Sequence, residues 1–318
     1  MSKALRVFLA LAIAYGWFVY RGANWNADSR LFLTYAIVDD HSLYIDRFSH
    51  ATGDIAAYDG HFYTDKAPGL SFIAAAPYAV VRALGAAPAT PDDFLMRQLL
   101  SWLTVGITTA ATGAVLYAWL RRNHPRTAVW GTLLFGLGSL AWPYTTMLFS
   151  HQFAANLVLL ALLLAIRGSA LLVALLGAIA YTVEPPATLL WLFLAALALW
   201  KSRPWDRRTL LQIALGLVAL AVALGLVAVY NASCFGSPFL SGYAHLAGPE
   251  EFRLGQAQGF YGYTTPTIES LFGMSFSFFR GLVWLMPVML ALPTALVVDR
   301  IPLNPGEDDL YIDRKSVE

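Results

Sequence analysis

The stretch Tyr63-Thr64-Asp65-Lys66-Ala67-Pro68-Gly69 places an Asp–Lys pair at the head of an apolar run, 67–84. The rest of the chain has the composition of a membrane protein. Charged groups at a bilayer surface are costly unless they face water or have a function. The pair is therefore a candidate functional feature, and the charges elsewhere in the chain indicate on which side of a membrane it lies.

The composition indicates the class of protein. The chain has 318 residues, of which 58% are hydrophobic and 13% are charged, whereas a soluble domain carries about 25% charged residues. Because the deficit is spread along the chain, it favours a polytopic membrane protein. The net charge of +1 gives no sign of nucleic-acid binding. The single cysteine, Cys234, excludes an intramolecular disulfide and a cysteine-based metal site.

Apolar runs of about 20 residues are candidate membrane spans. Eight are found, at 4–20, 97–120, 127–148, 152–166, 169–183, 187–200, 209–230 and 281–298. The ninth run, 67–84, is short and contains two prolines and Arg82. If it crossed the membrane, Arg121-Arg122 and the basic cluster 201–208 would both lie outside, against the rule that cytoplasmic loops carry Lys and Arg. We therefore predict that 67–84 is an interfacial helix on the outer face.

The predicted fold class is an all-α polytopic membrane protein with about eight transmembrane helices and both ends in the cytoplasm. Residues 1–300 form the transmembrane domain, and 301–318 form a polar cytoplasmic tail. Two outer loops, 21–96 and 231–280, are long, and loops of this length are often functional. Their aromatic and glycine content favours order. Within the first loop, 58–63 has the pattern of a tight turn between two short strands.

The order of motifs in the first outer loop resembles that of the GT-C glycosyltransferases, in particular the protein O-mannosyltransferase superfamily and the lipid A aminoarabinose transferases. Asp28-Ser29-Arg30 is similar to the family's acidic motif after the first span, although Ser29 replaces the second acid. Tyr63 to Pro68 is similar to its Tyr-x-Asp-Lys-x-Pro stretch, which opens an interfacial helix. The resemblance covers about 1–150 and is looser through 150–300. Family members have more spans, so a C-terminally truncated enzyme is one expectation.

The resemblance implies transfer of a sugar from a polyprenyl-phosphate carrier to a glycan, lipid or protein acceptor. The reaction is expected at the outer face of a multi-pass protein, in a bacterial inner (plasma) membrane. Asp28 is the implied base, and Lys66 with Arg30 is expected to hold the lipid phosphate, since cations stabilise a departing phosphate. Asp65 is the second catalytic candidate. Asp28 and Asp65 are also the candidate ligands of a divalent cation, Mg or Mn.

Further residues are candidates for binding the sugar or the phosphate. They are His61, Tyr63, His151, Glu184 and Arg280. Glu184 precedes two prolines; the pattern fits either a plain tight turn or a helix end that directs the carboxylate toward a cavity. Structural interpretations stay open beside these roles: Asp28 or Asp65 as a helix cap, and Lys66 as a lysine that buries its stem at the membrane surface.

Two other classes of function remain as alternatives. One is a non-catalytic or truncated membrane subunit. The other is a secondary transporter or flippase. It has less support, because transporters are expected to carry charged residues within their spans, and here the acidic residues lie in the outer loops. Walker A and His-Glu-x-x-His motifs are missing from the sequence, so nucleotide-driven transport and zinc proteolysis have no support.

Overall fold

The computed structural model describes residues 1–18, 20–22, 24–256, 258, 264–279, 281–287 and 290. They fall into two compact units, Met1–Thr264 and Thr265–Glu318, and each is described by itself. The predicted tail 301–318 and most of the predicted span 281–298 lie outside the described residues. The described part is mostly helical, which confirms the helical class. The finer prediction of about eight spans stays a prediction.

The first unit contains twelve helices among its described residues. They are α1 (Lys3–Trp17), α2 (Trp25–Tyr35), α3 (Gly69–Ala83), α4 (Phe94–Ser101), α5 (Ile107–Asn123), α6 (Ala128–Leu137), α7 (Ala141–Thr145), α8 (Ser150–Ala165), α9 (Ala170–Val183), α10 (Ala187–Lys201), α11 (Arg207–Phe235) and α12 (Glu250–Gln256). A π-helical turn, Trp102–Gly106, joins α4 to α5 in one continuous helix. Another, Ala36–Asp40, extends α2.

In the described part of the chain, two helices are long and apolar enough to cross a membrane: Phe94–Asn123, with 30 residues, and α11, with 29. Asp206 caps the start of α11 by accepting a hydrogen bond from the Thr209 amide at 2.7 Å, and Gly236 ends it in the left-handed conformation. Five further apolar helices are shorter, namely α3, α6, α8, α9 and α10. The predicted run 127–148 is not one helix: α6 ends at Leu137 with Gly138 as its cap, and α7 begins at Ala141. Glycine is a poor helix former, which accounts for the break.

A short hairpin accompanies the helices, at the place where the sequence predicts two short strands. Strands β1 (Ile55–Tyr58) and β2 (His61–Thr64) pair in antiparallel fashion. The predicted tight turn is confirmed between them. Asp59 and Gly60 have φ values of 50° and 81°, and Asp-Gly is a preferred pair for such a two-residue hairpin turn.

Helix α2 lies in the centre of the largest core, since every residue from Ala27 to Tyr35 is buried. Its apolar side chains share this core with residues of α3, α8 and α11. Asn24 caps the start of the helix by accepting from the Ala27 amide. In return, Asp28 accepts from the Asn24 amide at 2.9 Å, a reciprocal arrangement similar to a capping box. Residues 27–35, in the first predicted outer loop, therefore lie in the protein interior.

Two close backbone approaches bring distant segments together. A Cβ atom on Gly69 would lie 2.6 Å from the backbone of Thr182, so α3 begins against the end of α9. A Cβ atom on Gly242 would lie 2.6 Å from the Cα of Asp65. The segment around Gly242, in the second predicted outer loop, thus crosses over the Asp–Lys pair. It also pairs with the hairpin, because the Ala247 amide donates to the Ile55 carbonyl at 2.9 Å.

The second unit contains two short helices among its described residues, α13 (Ile268–Phe276) and α14 (Leu282–Leu285). Thr267 and Ser270 form a capping box at the start of α13. Trp284 donates from its ring nitrogen to the Phe276 carbonyl at 2.9 Å, which ties the two helices together.

Candidate functional site

Lys66 lies in a buried cluster with two carboxylates. Its Nζ is 2.8 Å from Oδ2 of Asp54 and 2.8 Å from Oδ2 of Asp65. The rings of Tyr243 and Phe252 cover the ammonium, each with its centroid 5.5 Å away. Burial lowers the pKa of Lys66, but the charges of Asp65, Tyr243 and Asp54 outweigh burial and raise it overall. The ammonium is therefore charged, and it does not extend into bulk water.

Ser29 connects α2 to this cluster. Its hydroxyl donates to the Asp54 carbonyl at 2.7 Å and lies 2.6 Å from the hydroxyl of Thr64. Thr64 in turn accepts from the Lys66 amide at 3.2 Å. Ser29, the residue that departs from the resembled acidic motif, is therefore a fully buried bridge between α2 and the hairpin.

Asp65 does not cap α3. The cap position is Pro68, which makes no side-chain cap bond. Burial raises the pKa of Asp65, and the charge of Lys66 opposes that shift. One oxygen of Asp65 pairs with Lys66, whereas the other, Oδ1, has no hydrogen-bond partner among the described residues. A buried acceptor without a partner is costly, so Oδ1 is available to a ligand.

Arg30 lies in a second buried group, which also contains Glu184. Its Nη1 donates to the Asn26 carbonyl at 2.7 Å, and its Nη2 donates to the Ser150 hydroxyl at 2.6 Å. Ser150 donates onward to Oε2 of Glu184 at 2.6 Å. The same oxygen lies 2.9 Å from Nδ1 of His151 and 4.0 Å from Nη2 of Arg30. Nε of Arg30 has no hydrogen-bond partner in the described part of the chain.

Electrostatic effects connect the two groups. Burial lowers the pKa of Arg30, and the charges of Glu184, Tyr243, Asp65 and Asp54 oppose that change. Burial raises the pKa of Glu184, but the hydrogen bond and charge of His151, with the Ser150 hydroxyl and Arg30, lower it overall. Glu184 is therefore ionised at neutral pH. We name the whole set the ion cluster: Arg30, Asp54, Asp65, Lys66, His151 and Glu184.

An open groove adjoins the ion cluster. It has a volume of about 510 Å³ and lies between α8 and the start of α10. His151 and Glu184 line it, and the rest of its lining is apolar, namely Ala154, Ala155, Val158, Leu159, Leu162, Pro186, Ala187 and Leu190. Small alanines lie nearest to the polar pair along α8, and larger side chains follow. The groove thus has a polar head and an apolar body.

Asp28, the predicted base, has different partners. Its Oδ1 lies 3.4 Å from Nε of Arg97, and its Oδ2 accepts from the Asn24 amide. Residues two apart in a helix point in opposite directions, so Asp28 and Arg30 occupy opposite faces of α2. Burial raises the pKa of Asp28, against the charge of Arg97 and the Asn24 hydrogen bond. The structure gives Asp28 an ion pair of its own.

Two further sequence candidates, His61 and Tyr63, lie apart from these contacts. His61 stands half-exposed in the hairpin, 2.7 Å from Asp46, with its ring stacked on Tyr44 at 4.3 Å. Tyr63 is buried in the core and packs edge-on against Phe235 at 5.3 Å. Arg280 lies outside the described residues.

Sequence reasoning missed several members of the site. Asp54 follows a glycine and looked like a loop acid, Tyr243 was one aromatic among many, and Arg97 began a predicted span. Asp54 and Tyr243 do lie in the two long outer loops, which was the available signal. Their partners are 12 or more residues away, so spacing along the sequence did not indicate the pairing.

The predicted divalent cation finds no ready set of ligands. Among the described residues, no group of three or more His, Cys, Asp or Glu side chains has the arrangement of a metal site. Asp28 and Asp65 each face a different cation, Arg97 and Lys66. A nearby ammonium or guanidinium repels a dication, so the two carboxylates do not fit such a site as they stand. The cation stays a prediction.

No protein-family model, curated protein or solved structure matches this chain. The resemblance to the GT-C glycosyltransferases therefore depends on the two motifs of the first outer loop, and it stays a prediction.

Proposed function

We propose that the protein is a membrane glycosyltransferase that uses a polyprenyl-phosphate-linked sugar at the outer face. The observation that carries the proposal is the buried ion cluster beside the apolar groove. A lipid-linked sugar phosphate has the same two parts: an anionic head and a long apolar chain.

A membrane location is supported by the apolar side chains that the helices expose. In α11, only 17% of the most apolar window is buried, and Leu217, Val222 and Val229 are all more than half exposed. Helices α6 and α10 expose Trp130 and Phe193 in the same way. Exposed apolar area of this extent marks contact with lipid or a partner. We propose about eight spans, with α3 as an interfacial helix.

Arg30 and Lys66 are the proposed ligands of the donor phosphate. Arg30 has an unused donor at Nε, and a charge-assisted hydrogen bond to a phosphate oxygen would use it. Lys66 is already held by two carboxylates, so the phosphate must compete with them. Because burial favours the protonated form of Asp65, the approach of an anion would favour it further and free part of the Lys66 charge.

Binding of undecaprenyl phosphate to the full chain in lipid nanodiscs tests the donor site, since this product is common to every donor sugar. We expect Lys66→Met to weaken binding at least about tenfold, the effect of about 1.4 kcal/mol. Lys201→Met, at the exposed end of α10, should leave it unchanged. Asp65→Asn should strengthen binding because it removes a competing charge, and it keeps Lys66 in place if the methionine variant does not fold.

Undecaprenol without phosphate serves as the ligand control. Equal binding of the alcohol and the phosphate would contradict the proposed phosphate site. Equal binding by wild type and both Lys66→Met and Asp65→Asn would do the same. Binding of the phosphate without any sugar transfer would favour the alternative of a non-catalytic subunit.

The base that takes the acceptor proton is a separate question. Asp28 remains the candidate from the sequence, and its variant Asp28→Asn tests it. Its ion pair with Arg97 and its position on the face of α2 opposite Arg30 favour a base that belongs to the ion cluster instead.

A further inference from the structure

His151 and Glu184 form a hydrogen-bonded pair at the polar head of the groove. Nδ1 of His151 lies 2.9 Å from Oε2 of Glu184. An ionised carboxylate only accepts hydrogen bonds, so Nδ1 carries the hydrogen and donates it. In the neutral imidazole, Nε2 is then the nitrogen without a hydrogen. Because the His151 side chain is 52% exposed, the pair presents a basic nitrogen at an accessible position.

We propose that His151, oriented by Glu184, is the general base that takes the hydroxyl proton of the acceptor. The inference rests on the proposed function, since it concerns the acceptor half of the same transfer. A base of this kind needs a nitrogen within hydrogen-bond reach of the hydroxyl and a second group that fixes the ring. Glu184 supplies the second part.

The reaction is a direct displacement at the anomeric carbon of the sugar. The acceptor oxygen bonds to the anomeric carbon of the sugar while its proton passes to Nε2 of His151. The bond from that carbon to the phosphate oxygen breaks, and the electron pair stays on the phosphate, held by Arg30 and Lys66. Polyprenyl phosphate leaves, and the imidazolium next to Glu184 later returns the proton to water.

The pair is tied to the proposed phosphate ligands by hydrogen bonds. Arg30 donates to Ser150, and Ser150 donates to the same Glu184 oxygen that His151 contacts. A phosphate bound at Arg30 therefore lies close to the pair. The anomeric carbon is bonded to an oxygen of that phosphate, so the reacting atom also lies near the His151–Glu184 pair. Asp28, across α2 with Arg97, lacks this connection.

The charged groups that face His151 are of both signs. Within the described residues, Glu184 from the end of α9 contacts its ring directly, and Arg30 from α2 lies behind Glu184 and Ser150. The ring of Phe149 packs edge-on at 5.0 Å. Glu184 stabilises the imidazolium that forms in the step, whereas Arg30 limits how far it does so. A general base acts only in its unprotonated form, so the rate is expected to rise with pH.

The test is release of undecaprenyl phosphate by the full chain in nanodiscs, with water as the acceptor. The probes are undecaprenyl-phosphate glucose, mannose, galactose and arabinose. His151→Asn should lower the rate of the donor that is cleaved by about 100-fold or more. It should remove the rise of rate with pH and keep the preference for undecaprenyl phosphate over undecaprenol. His124→Asn, at the exposed turn between α5 and α6, is the matched control and should behave as wild type.

Glu184→Gln tests whether Glu184 orients the His151 ring, because this variant keeps the ring that His151→Asn removes. The amide keeps a hydrogen-bond acceptor but not the charge, so the rise of rate should move to lower pH and the maximal rate should fall. A merely structural role of Glu184 would lower the amount of folded protein and leave the position of the rise unchanged.

Three results would overturn the assignment. One is an unchanged rate and pH profile in His151→Asn. Another is loss of the rise in Asp28→Asn with His151→Asn unaffected, which would place the base at Asp28. The third is a wild type that binds undecaprenyl phosphate but cleaves none of the four donors. The first two results leave the proposed function intact, whereas the third also contradicts the proposed sugar transfer. Failure of the donor site is distinct from all three, because the wild type would then not bind undecaprenyl phosphate in preference to undecaprenol.

Discussion

Burial and polarity are related in helices α2 and α11 in the opposite way to a soluble protein: the charged helix is buried and the apolar helix is exposed. Helix α2 carries Asp28, Ser29 and Arg30, and it is buried along nearly its whole length. Helix α11 has 29 residues and is the more apolar of the two long helices, with a mean hydropathy of 2.6 over its most apolar stretch. It is nevertheless mostly exposed. Lipid outside and a polar site inside would favour this inversion, because lipid solvates apolar side chains and buried charges then have to pair with one another.

The comparison is most severely tested at Arg30. Arg30→Met removes a buried guanidinium whose partners are Asn26, Ser150 and Glu184. Breaking a buried charged network by removing one partner costs about 3–5 kcal/mol. We therefore expect a large fall in thermal unfolding temperature in detergent. The exposed Arg208 provides the control, since Arg208→Met should change stability by less than about 0.5 kcal/mol. Similar effects of the two variants would mean that α2 is not buried as described.

A charge in the middle of α11 tests the other half of the comparison. Val222 is 56% exposed, so Val222→Lys would cost little at a surface that faces water. At the centre of a membrane helix, lysine costs about 2.5–3.5 kcal/mol. We expect a lower yield in the membrane fraction and a lower unfolding temperature. Leu210→Lys, near the end of the same helix, should be tolerated because its ammonium can reach the headgroups. Equal tolerance of both lysines would argue against a membrane location of α11.

Glycine packing differs between the two regions as well. Gly69→Ala would place a methyl group 2.6 Å from the Thr182 backbone, and overpacking of this kind costs about 1–3 kcal/mol. On α11, nothing lies within 4 Å of a Cβ atom built on Gly225. Gly225→Ala should therefore be neutral or stabilise by up to about 1 kcal/mol. The measurement is the unfolding temperature of both variants, and a reversed order would contradict the close contact of α3 with α9.

The smallest effect is expected in the pH dependence of stability at Glu184. The folded protein lowers the pKa of this carboxyl, so its ionised form contributes stability above the ordinary value of roughly 4.3. That contribution is lost as the pH falls through the lowered value. The difference in stability between wild type and Glu184→Gln should therefore shrink in acid. Asp28 and Asp65 have raised pKa values and change the stability with pH in the opposite direction. They are present in both wild type and Glu184→Gln, so the difference between these two proteins reports Glu184.

Local patterns were sufficient for the elements that depend on neighbouring residues. The helical class, the helix at 67–84 and the hairpin around Asp59-Gly60 followed from apolar runs and turn residues. These features arise within a few residues, through hydrogen bonding and backbone preference. The two motifs at 28–30 and 63–68 also predict Arg30, Asp65 and Lys66 as site residues, and the structure places all three in the ion cluster.

The partners in the site depended on contacts between distant parts of the chain. Lys66 contacts Asp54 and Tyr243. Arg30 contacts Ser150 and Glu184, which both lie more than 100 residues away in the sequence. No spacing rule predicts such pairs, since they depend on how α2, α3, α8 and α9 pack. The same packing pairs Asp28 with Arg97, although Asp28 and Arg30 are two residues apart, because a helix turns 100° per residue and sends them to opposite faces.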